Sequence, residues 1–426
     1  MARPPAGTAG MVKDDNVAPS ALLGSGLVIG GCILGILFFD RRTYPLVFVV
    51  CTALAGVAYL RTLRLLGRVA GGSNRVLALC LVLAAVWRVP LLLEPPTLST
   101  DVYRYVWDGR IQRLGYDPYL VAPGNSKFRQ LHTAETRLIN HSDVPTPYPA
   151  AAELFFRAVM TVNESALAMK SAVVLCDASV VAVLFCWLQA WRRSTWWVLA
   201  YAWNPLVALE GAGNGHVDLL GALCVVLTAE SLARGRRTIA SIAFALGVGV
   251  KFLPATLVPL LWRRIRLRDA ALGGAALAAL YIPFLGHGSL PFGSLGDYLA
   301  YWRVNAPVYS ALERVFPTAG LIVVPIAFGL AVAFWTRWHF ALESPEAWAW
   351  PVAVTLFFAP AIFPWYFLWL TPFLFTSCTF PLAVWTVSSL SAYWRLPSLL
   401  QPWFNTALRL EQSGGCWCNR WERVAR

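Results

Sequence analysis

From Ala21 to about residue 393 the chain is a near-continuous series of apolar runs. They fall at 21–39, 45–60, 76–93, 168–190, 195–210, 217–233, 239–261, 270–285, 319–338, 347–362, 365–378 and 380–393. The longer ones reach the ~20 residues that a helix needs to cross a bilayer. In hydrocarbon every backbone N–H and C=O must be satisfied internally, which a helix does within its own segment. The series therefore predicts one fold class: all-α, a polytopic transmembrane helix bundle of about eleven to thirteen membrane segments. Composition agrees. Of 426 residues, 58% are hydrophobic and 13% charged, about half the ~25% charge of soluble proteins. Too few charges remain to cover a soluble surface, and disorder, collagen and coiled coil are excluded. The run 21–39 is too long for a signal-peptide core and lacks a cleavage site, so it reads as the first membrane helix.

The net charge of +13 comes from 35 basic and 22 acidic residues. On a soluble chain this excess would point to nucleic acid; here it sits in short loops and is a topology signal, so no nucleic-acid partner is expected. Thirteen Arg lie between segments: Arg61, Arg64, Arg68 and Arg75, then Arg192 and Arg193, then Arg234, Arg236 and Arg237, then Arg263, Arg264, Arg266 and Arg268. These loops should face the cytoplasm. Residues 1–20 then form a cytoplasmic N-terminal tail, 21–393 a single transmembrane domain, 94–167 a large extracytoplasmic loop and 394–426 a C-terminal tail. Arg41 and Arg42 dissent, falling in an outer turn. Seven of the nine Cys lie within apolar segments, where a free thiol behaves as a small hydrophobe. Cys416 and Cys418 form a C-x-C with no His nearby, a weak metal signal.

The run 239–261 has Arg clusters at both ends, which one crossing cannot satisfy, and it is broken at Lys251-Phe-Leu-Pro254. This predicts two short helices, 239–250 and 253–262, that enter and return on the same side with Lys251 at the tip. The alternative is one ordinary helix from which Lys251 snorkels.

Polar groups gather at the expected outer end. In Leu98-Ser-Thr-Asp101-Val-Tyr-Arg104-Tyr-Val-Trp-Asp108, Ser99 or Thr100 can cap a helix whose Asp101, Arg104 and Asp108 share one face. Val102, Val106 and Trp107 would then lie at the membrane interface. Such a stripe suits either a polar site for a lipid-borne substrate or the solvated side of an interfacial helix. Turns follow at Gly115-Tyr-Asp-Pro-Tyr119 and Pro145-Thr-Pro-Tyr148-Pro149; Asn140-His-Ser142 and Asn163-Glu-Ser165 fit the glycosylation tripeptide. Trp203-Asn-Pro-Leu206 leads into Glu210-Gly-Ala-Gly-Asn214-Gly-His216-Val-Asp218. Ionisable groups at a membrane boundary are costly unless paired or functional, and this set could bind substrate or a divalent ion. No second carboxylate motif supports the ion, so no cofactor is expected and a divalent metal stays an option without support. Asp177, deep in one run with Lys170 two turns before it, is a functional group or a bond to a neighbouring helix. Arg88 could pair with Glu94 or a lipid phosphate. Phe363-Pro-Trp365-Tyr366 and Tyr301-Trp-Arg303-Val-Asn305 form aromatic outer surfaces, suited to a sugar, a lipid chain or an interfacial belt. No P-loop or dinucleotide fingerprint is present, which disfavours a soluble nucleotide donor. A cationic Lys251 in an apolar turn suits a phosphate, and a carboxylate across from it could act as general base.

These stretches, taken in order, resemble the GT-C class of integral-membrane glycosyltransferases, in particular bacterial polyprenol-phosphate-mannose-dependent mannosyltransferases. The resemblance rests on Ser99-Thr-Asp101-Val-Tyr-Arg-Tyr-Val-Trp-Asp-Gly, Gly115-Tyr-Asp-Pro-Tyr119, Thr146-Pro-Tyr-Pro149, Trp203-Asn-Pro-Leu206 with Gly215-His-Val-Asp218, Val250-Lys251-Phe-Leu-Pro254 and Phe363-Pro-Trp-Tyr366. It covers roughly two-thirds of the chain. It implies that Asp101 deprotonates the acceptor hydroxyl and that mannose moves with inversion from a polyprenyl-phosphate donor to a lipid or glycan acceptor. Lys251 would hold the donor phosphate, and Arg104, Asp108, Tyr148, Asn214, His216, Asp218, Trp365 and Tyr366 would bind substrate. Membrane lipids are the remaining partners. The site would face out of a bacterial cytoplasmic membrane, or lie in the ER membrane of a eukaryote. The chain departs from the pattern in having Thr100 before Asp101 instead of paired acids, Ala150 after Tyr148-Pro149, and Phe363 where relatives have His. The rival reading is a multi-pass transporter or flippase, which should show matching broken helices in two inverted halves.

Overall fold

The computed structural model describes residues 19–39, 43–68, 73–286 and 290–394. Both tails, with the Cys416/Cys418 pair, and Arg41 and Arg42 lie outside the described residues. Twelve α-helices of nine residues or more carry the fold. They are α1 (Pro19–Phe38), α2 (Pro45–Leu66), α3 (Asn74–Leu93), α4 (Asp101–Arg113), α5 (Ala150–Val162), α6 (Ala166–Ala190), α7 (Asp218–Ala233), α8 (Arg237–Val250), α9 (Leu267–Tyr281), α10 (Val324–His339), α11 (Pro345–Phe357) and α12 (Phe380–Ser388). Among the described residues the sole β pairing is an isolated bridge, Val304 to Ala361.

Among the described residues five segments are long and apolar enough to cross a membrane: Ala21–Phe38, α2, α3, α6 and Leu267–Phe284. Their outward residues are bare hydrocarbon, among them Leu27, Leu46, Val57, Leu79 and Leu175. A surface of that kind is stable against lipid and not against water. The chain is an all-α, multi-pass membrane protein. Other apolar runs are broken. The run 195–210 is a chain of short turns that ends in a π-helical turn, Ala208–Gly213. The run 365–378 is built of 3₁₀ turns. Both are almost wholly buried, which is the condition under which irregular backbone persists at membrane depth.

The run 239–261 also breaks. α8 stops at Val250, Lys251 is extended, and a 3₁₀ turn (Leu253–Leu257) and a short helix (Val258–Leu261) follow. Thr238 Oγ1, at the start of α8, donates to Asp269 Oδ1, at the start of α9, at 2.6 Å. The two Arg-flanked ends therefore lie side by side, and the run goes in and comes back. α8, with 14 residues, is ~21 Å long at 1.5 Å per residue. That is shorter than a ~30 Å hydrocarbon core, so Lys251 ends at membrane depth.

α4 departs from expectation. Val102, Val106 and Trp107 were expected at the membrane interface, yet all three are fully buried, as is most of the helix. α5 covers α4, and Gly109 lets them approach; a Cβ there would overlap the Phe156 carbonyl and the Met160 side chain. α4 hides Arg104, Asp108 and Gln112 because each finds a hydrogen-bond partner inside.

Candidate active site

The site is built where α4, the Ala208–Asp218 turn, the α8 break and the Pro364–Trp369 turn meet. Asp101 opens α4. Its backbone N–H donates to Ser99 Oγ at 3.3 Å, so Ser99 caps the helix start from one residue before Thr100. Asn214 fixes the approach to α4: its Oδ1 accepts from the N–H groups of Leu98 (3.1 Å) and Ser99 (3.4 Å). Its Nδ2 donates to Glu210 Oε2 at 2.9 Å and to Leu209 O at 3.2 Å. Asn214 thus works as a strut between two chain segments. Gly215 follows with φ +72, a left-handed conformation that favours glycine, and a Cβ there would press on Lys170 and Val102.

His216 is fully buried. Its ring stacks on Trp365 at 4.2 Å between centroids and 10° between planes, and Trp365 in turn stacks on Phe363 at 4.5 Å. Nδ1 lies 4.0 Å from Asp101 Oδ2 and Nε2 lies 3.3 Å from Glu210 Oε2. The imidazole therefore stands between two carboxylates. Glu210 is also buried and accepts from Tyr393 Oη at 2.8 Å. Asp101 keeps 16% of its side chain open and accepts from Asn140 Nδ2 at 3.0 Å.

A second group faces it. Asp218 starts α7, where the helix dipole favours a negative charge. Its Oδ1 accepts from Lys251 Nζ at 2.8 Å and Trp369 Nε1 at 2.6 Å, and its buried Oδ2 has no hydrogen-bond partner. The Lys251 ammonium lies 3.7 Å from the centroid of the Tyr366 ring, a cation–π contact. Tyr366 Oη shares a hydrogen bond with Tyr298 Oη. Burial pushes the phenols of Tyr148 and Tyr298 up, and the charges of both Asp101 and Asp218 add to this in each case. Both carboxylates therefore lie near the same tyrosines, and the space bordered by the partly open Asp101 and Lys251 is the candidate substrate chamber.

Arg104 and Asp108 brace the chamber from behind. Arg104 Nε donates to both oxygens of Asp108, at 3.2 and 3.1 Å. Its other nitrogens donate to His141 O (3.2 Å) and Val144 O (2.7 Å). This ties the 140–146 loop over α4 and carries Asn140 to Asp101. Asp108 faces the buried Glu153, whose oxygens accept from Thr146 Oγ1 (2.6 Å) and Gln112 Nε2 (2.8 Å). Burial and the Asp108 charge push the Glu153 carboxyl well up; burial also raises Asp108 against the pull of Arg104. Burial lowers the His141 imidazole, although Asp101 and Asp143 oppose this. Tyr148 packs edge-on to Tyr105 at 5.3 Å, and its Oη donates to Tyr105 Oη at 3.4 Å.

The structure brings Asp101, His216, Asp218, Lys251, Trp365, Tyr366 and Tyr148 to one place, and puts Arg104, Asp108 and Asn214 in supporting positions. Sequence reasoning left Glu210 outside the named site and did not single out Trp369, Tyr298 or Asn140 as site residues. Trp369 carried a signal: it is three residues after Tyr366 in a 3₁₀ turn, where i and i+3 share a side. Tyr298 carried none. Arg88 pairs with Asp177 at 2.5 Å, not with Glu94, and also donates to Ala202 O. Asp177 thereby serves as a bond between α3 and α6. Lys170 Nζ donates to Leu91 O (2.9 Å) and Glu94 O (2.5 Å), closing the end of α3. Arg303 pairs with Glu313 (2.7 Å), while Asn305 donates to Ile362 O (3.2 Å) and so pins the outer loop to the 360–366 turn. Among the described residues no group of three or more His, Cys, Asp or Glu could hold a metal.

The family model described as α-(1→6)-mannopyranosyltransferase, N-terminal domain, matches residues 19–265. α-(1→6)-Mannopyranosyltransferase A of Mycobacterium tuberculosis is 25% identical over 333 residues, 67% of this chain and 62% of that one. The chain thus spans about three-fifths of that relative's length. A probable α-(1→6)-mannopyranosyltransferase of Mycolicibacterium smegmatis is 53% identical over 38 residues, 9% of this chain and 7% of its own. A second M. tuberculosis α-(1→6)-mannopyranosyltransferase is 48% identical over 40 residues, again 9% and 7%. No solved structure matches the chain significantly. With its model matching more than half of the chain, the α-(1→6)-mannopyranosyltransferase family, GT-C-like mannosyltransferases, is the family to which this chain belongs.

Proposed function

We propose that this chain transfers a mannosyl group from a polyprenyl-phosphate donor to a hydroxyl of a lipid or glycan acceptor, with inversion, on the extracytoplasmic face of a bacterial cytoplasmic membrane. The family name makes the primary 6-hydroxyl of an acceptor mannose the natural nucleophile. Asp101 takes the proton as that oxygen attacks the anomeric carbon. The bond from that carbon to the donor phosphate breaks, and its electron pair leaves with the polyprenyl phosphate. Lys251 holds that phosphate. Its ammonium has three donors, one committed to Asp218, and the pair with the Tyr366 ring keeps it aimed. Trp365 and Tyr366 offer flat surfaces for sugar or isoprenoid. Tyr148 and Tyr298 line the same chamber, and His216 and Asp218 set the two charged groups. Arg104, Asp108 and Asn214 act through the backbone they hold. The Arg-rich loops lie at the other end of the bundle and set the outward orientation.

The observation that carries this reading is the contrast among carboxylates. Glu210 and Asp218 are buried and engaged, whereas Asp101 stays partly open on the same side as the partly open Lys251. The test uses full-length protein in detergent with labelled polyprenyl-phosphate mannose and membrane lipid extract. Transfer by the wild type should fall ~100-fold or more in Asp101→Asn, the range of a positioned general base. The wild-type rate should be the same with a chelator present, because Lys251 takes the leaving-group charge. Transfer that survives Asp101→Asn, or none from any polyprenyl-phosphate sugar, overturns the reading.

A further inference from the structure

An open cavity lies at the Arg-rich end of the bundle. α3 ends at Leu93, close to the chamber, and begins at Asn74; α6 begins at Ala166 on the chamber side and ends at Ala190. The C-terminal ends of α2 and α6 are therefore about a full membrane crossing from Asp101, ~30 Å along α3 at 1.5 Å per residue. Between them and the Leu374–Phe380 segment is a cavity of about 660 Å³.

Its lining sorts by chemistry. Trp191, Trp197, Phe375 and Phe380 give aromatic walls, and Arg64 and Arg193 supply two cations. The Arg64 guanidinium lies over the Phe380 ring at 5.2 Å and that of Arg193 over Trp191 at 4.6 Å. Among the described residues neither is paired with a carboxylate. Glu346, 6% exposed, also lines the cavity and accepts from Thr376 Oγ1 at 2.5 Å. Two guanidiniums held over aromatic faces present forked donors suited to a phosphate. A buried carboxylate and a hydroxyl below them suit the hydroxyls of a polyol. The cavity opens at the ends of two membrane spans, α2 and α6, beside Arg-rich loops of the kind that border lipid headgroups.

We propose that this cavity is a binding site for one anionic phospholipid with a hydroxylated headgroup. Its phosphate bridges Arg64 and Arg193, and its hydroxyls donate to Glu346. The site is separate from the transfer chamber and does not depend on the transfer reaction. It gives two of the Arg that mark orientation a specific ligand.

Native mass spectrometry of the full-length protein, released from detergent after titration with phosphatidylglycerol, reads occupancy. One phosphatidylglycerol should be retained, in preference to phosphatidylcholine. Arg64→Ala/Arg193→Ala should bind it about tenfold more weakly. Arg64→Gln and Arg193→Gln, tested singly, should each weaken it severalfold and carry the test if the double variant is not monodisperse. Retention unchanged in these variants overturns the proposal. So does displacement of the lipid by an equal concentration of glycerol phosphate, which would make the ligand soluble.

Discussion

At the scale of single residues, the chamber depends on charges that lie below the membrane surface without being left alone. Asp218 is the clearest instance: Lys251 and Trp369 both donate to one of its oxygens. An unpaired charge at that depth would cost several kcal/mol, so the pair is stable only as a unit, and the Lys251 donors not aimed at Asp218 are what it offers to a ligand. Glu153 shows a different solution, a buried carboxyl whose surroundings favour the neutral form. Burial and the neighbouring Asp108 raise its pKa well above the ordinary carboxylate value. A raised folded-state pKa contributes stability that is fully present below the unfolded pKa and is lost as pH rises through the folded one. Thermal stability in detergent should therefore fall as pH climbs past the ordinary carboxylate range. Glu153→Gln, which mimics the protonated form, should flatten that dependence without lowering stability at acid pH. A variant melting curve with the wild-type pH slope would show that Glu153 does not hold the proton.

At the scale of elements, the contact of α7 with the Pro364–Trp369 turn joins packing to chemistry. Gly221, one turn after Asp218, lies under the Trp369 ring, and a Cβ there would overlap the indole. The indole is tethered by its bond to Asp218 and cannot slide away without releasing that carboxylate. Gly221→Ala should therefore cost about 1–3 kcal/mol, the usual penalty of overpacking, read as a lower melting temperature. Gly221→Ala should cost much less in a Trp369→Leu background than in the wild type; an equal cost in both backgrounds would show that the overlap is not the cause. This contact also shows where the sequence stopped being informative. The break at Lys251 was legible, because Pro254 and two Arg clusters are local signals. The meeting of Trp369 with Asp218 spans 151 residues of chain and depends on packing that no local pattern records. α4 was misplaced at the interface for a related reason. Its Asp101, Arg104 and Asp108 suited either a polar site or a solvated face, and only the structure supplies the carbonyls that hold Arg104 and the Glu153 that meets Gln112.

At the scale of the whole molecule, charge and helix length act together. The runs flanked by Arg on both sides pin one end of the bundle, and the bond from Thr238 to Asp269 ties the two limbs of the Lys251 loop at that end. α7 and α8, of 16 and 14 residues, are ~24 and ~21 Å long, so they stop short of the far membrane surface. The chamber that holds Asp218 and Lys251 is thereby recessed, with the 94–167 loop above it. The orientation is open to direct measurement. Asn163, at the end of α5, and Ser194, beside Arg193, are both exposed and belong to opposite ends of the bundle. In a background whose exposed Cys186 and Cys378 are replaced by Ser, a membrane-impermeant maleimide applied to intact cells should label Asn163→Cys. Ser194→Cys should react only after permeabilisation. The reverse pattern would place the Arg-rich end outside the cell, against the rule that basic loops stay in. The transfer proposed above would then have to take place on the cytoplasmic side.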